Sequence, residues 1–199
     1  MTDAEKALRS ATVDLSRAGA RFALVGGLAV SARTEPRFTR DVDLAVAVDS
    51  DAEAEGLVRT LQESGYATLA VLEQAKTGRL ATVRMSQPRT VEPQGIVDLL
   101  FASSGLEPEI VSAASPLAIV RGLDVHVAQR GHLVALKVLA RDDDRRPQDR
   151  LDLLALLRGI DSAELSRARE GIVLIAQRGF DRDKDLQTEL ERALAEANR

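Results

Sequence analysis

The sequence predicts an α/β domain followed by a C-terminal helical bundle, and three observations carry that prediction. Short apolar runs rich in β-branched residues alternate with amphipathic helical stretches up to about residue 130. One run, Gly95–Phe101, is apolar almost throughout, as a strand in the middle of a sheet must be. From Gly131 onward the periodicity is helical to the end. The 199 residues therefore divide into an α/β core at 1–130 and a helical region at 131–199.

Thr2 and Glu5 have the spacing of a capping box. Ala7, Leu8, Ala11, Leu15 and Ala18 follow at helical intervals until Gly19 ends the helix. Phe22–Val25 is a short buried strand. Leu28–Arg33 is a short helix broken at Glu35-Pro36, because the residue before a proline is pushed out of the helical region. Asp41–Val48 reads as a strand, with Val42, Val46 and Val48 recurring around Leu44. Ser50 and Glu53 form a second capping-box pair, which opens a helix with Ala54, Leu57, Val58 and Leu61 inward that stops near Gly65. Tyr66–Leu72 and Leu80–Met85 are strands, the latter alternating Ala81, Val83 and Met85 with polar residues. Pro88 and Pro93 mark a loop before the Gly95–Phe101 strand, and Ser103–Glu109 reads as another. Ala118–Val120 and Asp124–Ala128 are short strands around Gly122. Four helices close the chain: His132–Arg141, Pro147–Leu157, Ser162–Arg178 and Asp181–Ala197, with Pro147 at a first helical position and Asp161 with Glu164 as a cap.

Composition narrows the function classes. Hydrophobic residues make up 45% and charged residues 29%, enough for a core and a soluble surface, but aromatics are only 3%, so the core is aliphatic. No apolar stretch approaches the ~20 residues of a membrane span. The N-terminus is polar and acidic, unlike a signal peptide. There are no cysteines, which excludes disulfides and thiolate metal sites and suits the cytoplasm. A net charge of −4 gives no overall attraction to nucleic acid, so any such binding needs a local basic patch.

Asp41 and Asp43 flank Val42 on one strand, so both carboxylates share a face while Val42 and Leu44 enter the core. Two such groups repel unless a cation or proton lies between them. Hard oxygens on a stiff element suit Mg²⁺, with Mn²⁺ as the alternative; the ion then completes its shell with water and substrate phosphates. Gly26-Gly27, between an apolar strand and a helix, lets backbone N–H groups approach a phosphate closely. Singly, these signals also fit a plain turn, an exposed strand edge or the metal pair of a sugar-nucleotide glycosyltransferase. Together, in this order, they point to a metal–phosphate site. Asp98 is the one charge in Ile96-Val97-Asp98-Leu99-Leu100, and such burial demands either an arginine partner or a metal. Lys137 interrupts an apolar helical stretch and so projects into a cleft; Asp149 and Asp152 share a helical face. Arg141, Arg145, Arg146 and Arg150 make a local basic patch that Asp142, Asp143 and Asp144 partly cancel. His126 and His132 have no metal-like spacing and read as structural.

Gly26-Gly27 followed by Asp41-x-Asp43 resembles the signature of the nucleotidyltransferase superfamily that includes DNA polymerase β. Arg37-x-Thr39-x-Asp41-x-Asp43-Leu44 resembles the AbiEii-type (abortive infection) toxin branch of it, as do Lys137, Arg141 and Asp149-x-x-Asp152. The likeness runs from about Phe22 to Leu157 and departs at Gln148, where the family usually has lysine. It implies a nucleotidyltransferase-type mixed sheet flanked by helices, with residues 131–199 completing the nucleotide cleft. It further implies a Mg²⁺-dependent transfer of a nucleoside monophosphate from a nucleoside triphosphate to an acceptor hydroxyl on a tRNA 3′ end or a protein. A cognate antitoxin protein would be the partner.

By the same resemblance Asp41 and Asp43 hold the metal, and Asp98, the third carboxylate, is a general base or a further metal ligand. Gly26 and Gly27 support the β- and γ-phosphates, and Lys137 contacts the triphosphate. Asp149 lies at the nucleotide pocket or orients Lys137. Arg37 could hold phosphate oxygens; Thr39 could bond phosphate or cap the turn; Ser31 and Arg33 could face the same ligand. A drug-modifying nucleotidyltransferase, an inactive partner-binding member of the family and a glycosyltransferase are the rival readings.

Overall fold

Seven strands form one mixed sheet in the computed structural model, which describes residues 2–88, 95–120 and 122–198. The strands are β1 (Arg21–Val25), β2 (Asp41–Ala47), β3 (Ala67–Glu73), β4 (Leu80–Ser86), β5 (Ile96–Leu100), β6 (Ser115–Val120) and β7 (Leu123–Val127), in spatial order β3-β4-β5-β2-β1-β7-β6. The helices are α1 (Asp3–Arg17), α2 (Gly26–Arg33), α3 (Asp51–Glu63), α4 (Glu107–Ala113), α5 (Arg130–Ala140), α6 (Pro147–Leu157), α7 (Ser162–Gln177) and α8 (Leu186–Ala197).

β2 holds the centre, antiparallel to β1 on one side and parallel to β5 on the other. Its register decides where the chemistry sits. Val25 at the end of β1 opposes Asp43, Asp43 opposes Asp98 on β5, and Asp98 opposes Arg84 on β4. A slip of one residue would turn these side chains to the other face, and the fully buried Val42, Leu44 and Leu99 forbid it. α1 and α4 pack on the central strands; α2, α5 and α6 pack on one another, with α7 and α8 outside them.

Local chemistry explains most element boundaries. Thr2 and Glu5 form the reciprocal capping box, with both bonds present. The pair at Ser50 is only half a box: Ser50 Oγ accepts from Glu53 N, while the Glu53 carboxylate reaches Asp49 N instead. Asp161 caps α7 by accepting from Glu164 N.

Two expectations are corrected. Ser103–Glu109 is not all loop, because α4 starts at Glu107. The Glu107 side chain accepts from Ser103 N, Ser104 N and Ser104 Oγ, and Leu106 and Ile110 are fully buried beside it. Seven residues give too little periodicity to register as a helix in sequence. The last helix starts at Leu186 rather than Asp181, because Arg182 and Asp183 take left-handed backbone conformations, φ +56° and +59°, and Asp185 caps Thr188 N. The loop proline Pro93 lies outside the described residues.

Candidate active site

Gly26, the first residue of α2 after β1, has φ +63°, a conformation that favours glycine, and a Cβ there would collide with the Asp43 carboxylate. A Cβ on Gly27 would stand 2.8 Å from both Arg37 Nη2 and Thr39 Oγ1. The two glycines are thus the surface against which Asp43, Arg37 and Thr39 pack. The Gly27 N–H donates to the Asp43 carboxylate.

Asp41, Asp43 and Asp98 stand on adjacent strands with Arg84 among them. Arg84 Nε and Nη2 donate to the two oxygens of Asp98 at 2.8 and 2.7 Å, and Nη2 reaches Asp41 Oδ2 at 3.2 Å. Of the two partners that the apolar setting of Asp98 allowed, an arginine or a metal, the arginine is present, on the neighbouring strand. Arg84 is the residue that sequence reasoning missed. Its signal was the polar phase of the Leu80–Met85 alternation, but only the antiparallel β4–β5 register shows which acid it opposes. Burial first, then the charge of Asp98, pushes the Asp43 carboxyl up from 3.8 to about 6, and Asp41 adds to this; Lys137 and the Gly27 N–H pull the other way.

Asp41 and Asp43 offer two hard oxygen donors, the usual protein share for an ion that takes its other ligands from phosphates and water, so the pair fits Mg²⁺ or Mn²⁺. Among the described residues no three His, Cys, Asp or Glu side chains converge to hold an ion.

The second cluster sits on α5 and α6. Lys137 Nζ donates to Asp149 Oδ1 at 2.6 Å and lies 2.8 Å from Asp152 Oδ2. Arg37 meets Asp152 through Nε and Nη2, both at 2.7 Å, and Gln148 Nε2 donates to Asp152 Oδ1 at 2.9 Å. Asp152 is 1% exposed. Burial alone would raise its pKa, but the hydrogen bonds from Arg37, Lys137 and Gln148 outweigh that and hold it below the ordinary carboxylate range. Asp152 is thus the hub that joins the Arg37 loop to Lys137. Asp149 Oδ2 is buried without a hydrogen-bond partner, with Arg146 Nε 3.5 Å away.

Asp41, Asp43, Asp98 and Arg84 line a single cleft of about 540 Å³ with Arg37, Lys137, Gln148 and Asp149, together with Gly26, Gly27, Thr39, Leu136, Arg145, Arg146 and Arg182, while Asp152 is buried behind them. The basic patch of the sequence splits. Arg145 and Arg146 line the cleft, whereas Arg141 pairs with Asp143 and Glu196 and Arg150 with Glu196. Ser31 and Arg33 serve structure. Ser31 Oγ accepts from Arg37 N, and Arg33 donates to Ala128 O, Val127 O and Ser115 Oγ. His126 is exposed on β7; His132 is buried away from the cleft, where desolvation, then Arg167, lowers its pKa to about 4.

The fold has solved counterparts. An antigenic nucleotidyltransferase-like protein from Paracoccidioides brasiliensis superposes with a TM-score of 0.55 at 19% identity, covering 96% of this chain and 93% of its own. A candidate nucleotidyltransferase of H. pylori gives a TM-score of 0.49 at 16% identity, with 98% and 91% covered. The lincomycin-bound lincosamide antibiotic adenylyltransferase LnuA gives 0.46 at 11%, with 76% and 94% covered. No protein of curated function matches in sequence. None of the described helices is long and apolar enough to cross a membrane. The profile of the nucleotidyl transferase AbiEii toxin, type IV toxin–antitoxin system, matches residues 7–199. That match runs from within α1 to the end of α8 and includes both charge clusters, and the chain belongs to the AbiEii nucleotidyltransferase toxin family.

Proposed function

We propose that the chain moves a nucleoside monophosphate from a nucleoside triphosphate to an acceptor hydroxyl with the help of a divalent metal ion, as the toxin-like component of a toxin–antitoxin pair in the cytoplasm. One observation carries this reading: the β1–β2–β5 register sets the Gly26-Gly27 turn, Asp43 and Asp98 side by side, in the cleft that also holds Lys137. Residues 1–130 supply the carboxylates and the glycine turn, and residues 131–199 close the nucleotide cleft.

A Mg²⁺ ion, or Mn²⁺, held by Asp41 and Asp43 would supply Lewis-acid charge to the triphosphate. Asp149 and Asp152 fix the Lys137 ammonium toward the same phosphates, with Arg37 as a further cation. The backbone at Gly26 and Gly27 supports the β- and γ-phosphates, and the Thr39 hydroxyl offers one more hydrogen bond. Asp149 Oδ2 is left to accept from the nucleotide. Asp98 takes the proton of the attacking hydroxyl. The new bond from that oxygen to the α-phosphorus forms as the bond to the bridging oxygen breaks, and pyrophosphate leaves with the electron pair. No Ser, Cys or His nucleophile is required, because positioning and neutralisation of charge do the catalysis.

The acceptor is a hydroxyl on a tRNA 3′ end or on a protein; Arg145, Arg146 and Arg182 in the cleft favour a polyanionic one. The test is incubation with labelled nucleoside triphosphates, Mg²⁺ and total tRNA, with Asp43→Ala as the control. Label on RNA, lost in the variant, is the expected result, and label on protein instead moves the acceptor to a protein hydroxyl. Nucleotide binding without either transfer would move it to a small molecule, as in drug modification. A chain that binds no nucleotide overturns the catalytic reading in favour of a partner-binding role.

A further inference from the structure

Arg84 is a cation built into the carboxylate cluster. Its guanidinium spans Asp98 and Asp41, with contacts of 2.8, 2.7 and 3.2 Å. Asp98 is 7% exposed, so this fork is held against a buried acid whose two oxygens it occupies. The position is fixed by the sheet itself, since the β4–β5 register sets Arg84 directly opposite Asp98. In a two-metal phosphoryl-transfer site a second ion lies about 4 Å from the first and shares its carboxylates on the side of the attacking oxygen. In this chain both Asp98 oxygens and Asp41 Oδ2 already accept from a guanidinium, which leaves Asp41 Oδ1 for the first ion and one further lone pair on each Asp98 oxygen.

We propose that Arg84 occupies the seat of a second metal ion, so that the site works with one divalent ion on Asp41 and Asp43. This deepens the nucleotidyl-transfer reading above and rests on it. The guanidinium supplies positive charge beside the attacking oxygen and the α-phosphate, where charge gathers in the transition state. It does not lower the pKa of a hydroxyl by coordination as a metal does. The proton of the acceptor therefore goes to the Asp98 carboxylate while the oxygen–phosphorus bond forms and pyrophosphate departs.

The experiment counts Mn²⁺ bound per chain by electron paramagnetic resonance, with a nucleoside triphosphate whose α–β bridge is a methylene group. The expected count is one for the native chain, two for Arg84→Ala, one for Arg84→Lys, and one again when Asp98→Ala is added to Arg84→Ala. The Arg84 side chain is 43% exposed, so its truncation leaves the core intact; Arg84→Gln serves if the alanine variant fails to fold. Two ions in the native chain, or one in Arg84→Ala, would overturn the proposal and leave nucleotidyl transfer standing. No bound nucleotide and no bound ion in the native chain would overturn both.

Discussion

The two charge clusters in the cleft are built on opposite terms. On the sheet, three carboxylates (Asp41, Asp43 and Asp98) stand near one guanidinium, that of Arg84, which bonds Asp98 and Asp41 but not Asp43. On the helices, two carboxylates (Asp149 and Asp152) hold two cations, Lys137 and Arg37. The consequences have opposite sign. Asp43 is pushed up to about 6, whereas Asp152 is held below the ordinary range. Burial disfavours charge at both places; at Asp43 it prevails with the help of Asp98, and at Asp152 the hydrogen bonds from Arg37, Lys137 and Gln148 outweigh it. The sheet cluster is short of positive charge, which supports the metal ion proposed for it. The helix cluster is closer to balance, with Lys137 and Arg37 held by two acids and only Asp149 Oδ2 left without a hydrogen bond, which suits the clamp proposed for Lys137.

Substitution at one acid of each cluster should therefore separate chemistry from stability. Asp43→Ala is expected to lower nucleotide transfer at least ~1,000-fold, on the scale of losing a group that acts in the transition state, without lowering the melting temperature of the ligand-free chain. Label transfer and a thermal melt read the two effects. Asp152→Ala should do the reverse on the stability axis. It leaves Lys137 and Arg37 without their shared buried partner, at a cost of about 3–5 kcal/mol in denaturant unfolding. Equal stability losses in the two variants would erase the distinction.

A finer probe is Gly26, which joins the glycine turn to the sheet cluster. Gly26→Ala meets both a left-handed backbone and the Asp43 carboxylate, and about 3 kcal/mol of destabilisation is expected. Gly19 has φ +73° but open space where a Cβ would be, so Gly19→Ala should cost only about 1 kcal/mol. If the two alanine variants unfold at the same denaturant concentration, the turn is not braced by Asp43.

The same contrast shows what the sequence could reveal. Asp41, Asp43, Gly26 and Gly27 are legible because strand alternation and strand-to-helix turns are local patterns. Asp98 is legible because a charge in an apolar run violates a local rule. Arg84 and the central role of Asp152 are not, because each depends on which strand or loop arrives opposite: Arg84 meets acids 14 and 43 positions away, and Arg37 meets Asp152 across 115. Long apolar strands and well-capped helices were readable in the fold for the same reason. The seven-residue α4 and the left-handed residues before α8 were not, since tertiary burial at Leu106 and Ile110 fixes one and backbone geometry the other.

A pH-dependent effect tests the charge deficit of the sheet cluster most directly. Asp43 has a folded pKa of about 6 against an ordinary 3.8, so between those values the folded chain binds the proton that the unfolded chain has already lost. Stability from this group is full below about pH 4 and is lost as pH rises through about 6. Asp43→Asn removes the titration while keeping the shape and the acceptor for the Gly27 N–H. The variant's stability advantage over the native chain should then grow between pH 4 and pH 6 and level off above, reaching on the order of 2 kcal/mol. Taking the difference between the two chains at each pH cancels the titrating groups that do not couple to Asp43, including His132, whose burial gives the opposite slope as it resists protonation. Added Mg²⁺ should shrink the difference at neutral pH, because a bound cation stabilises the ionised Asp43 that the asparagine lacks. A difference that is flat with pH would mean that Arg84 alone balances the cluster, and that the carboxylates need no further cation.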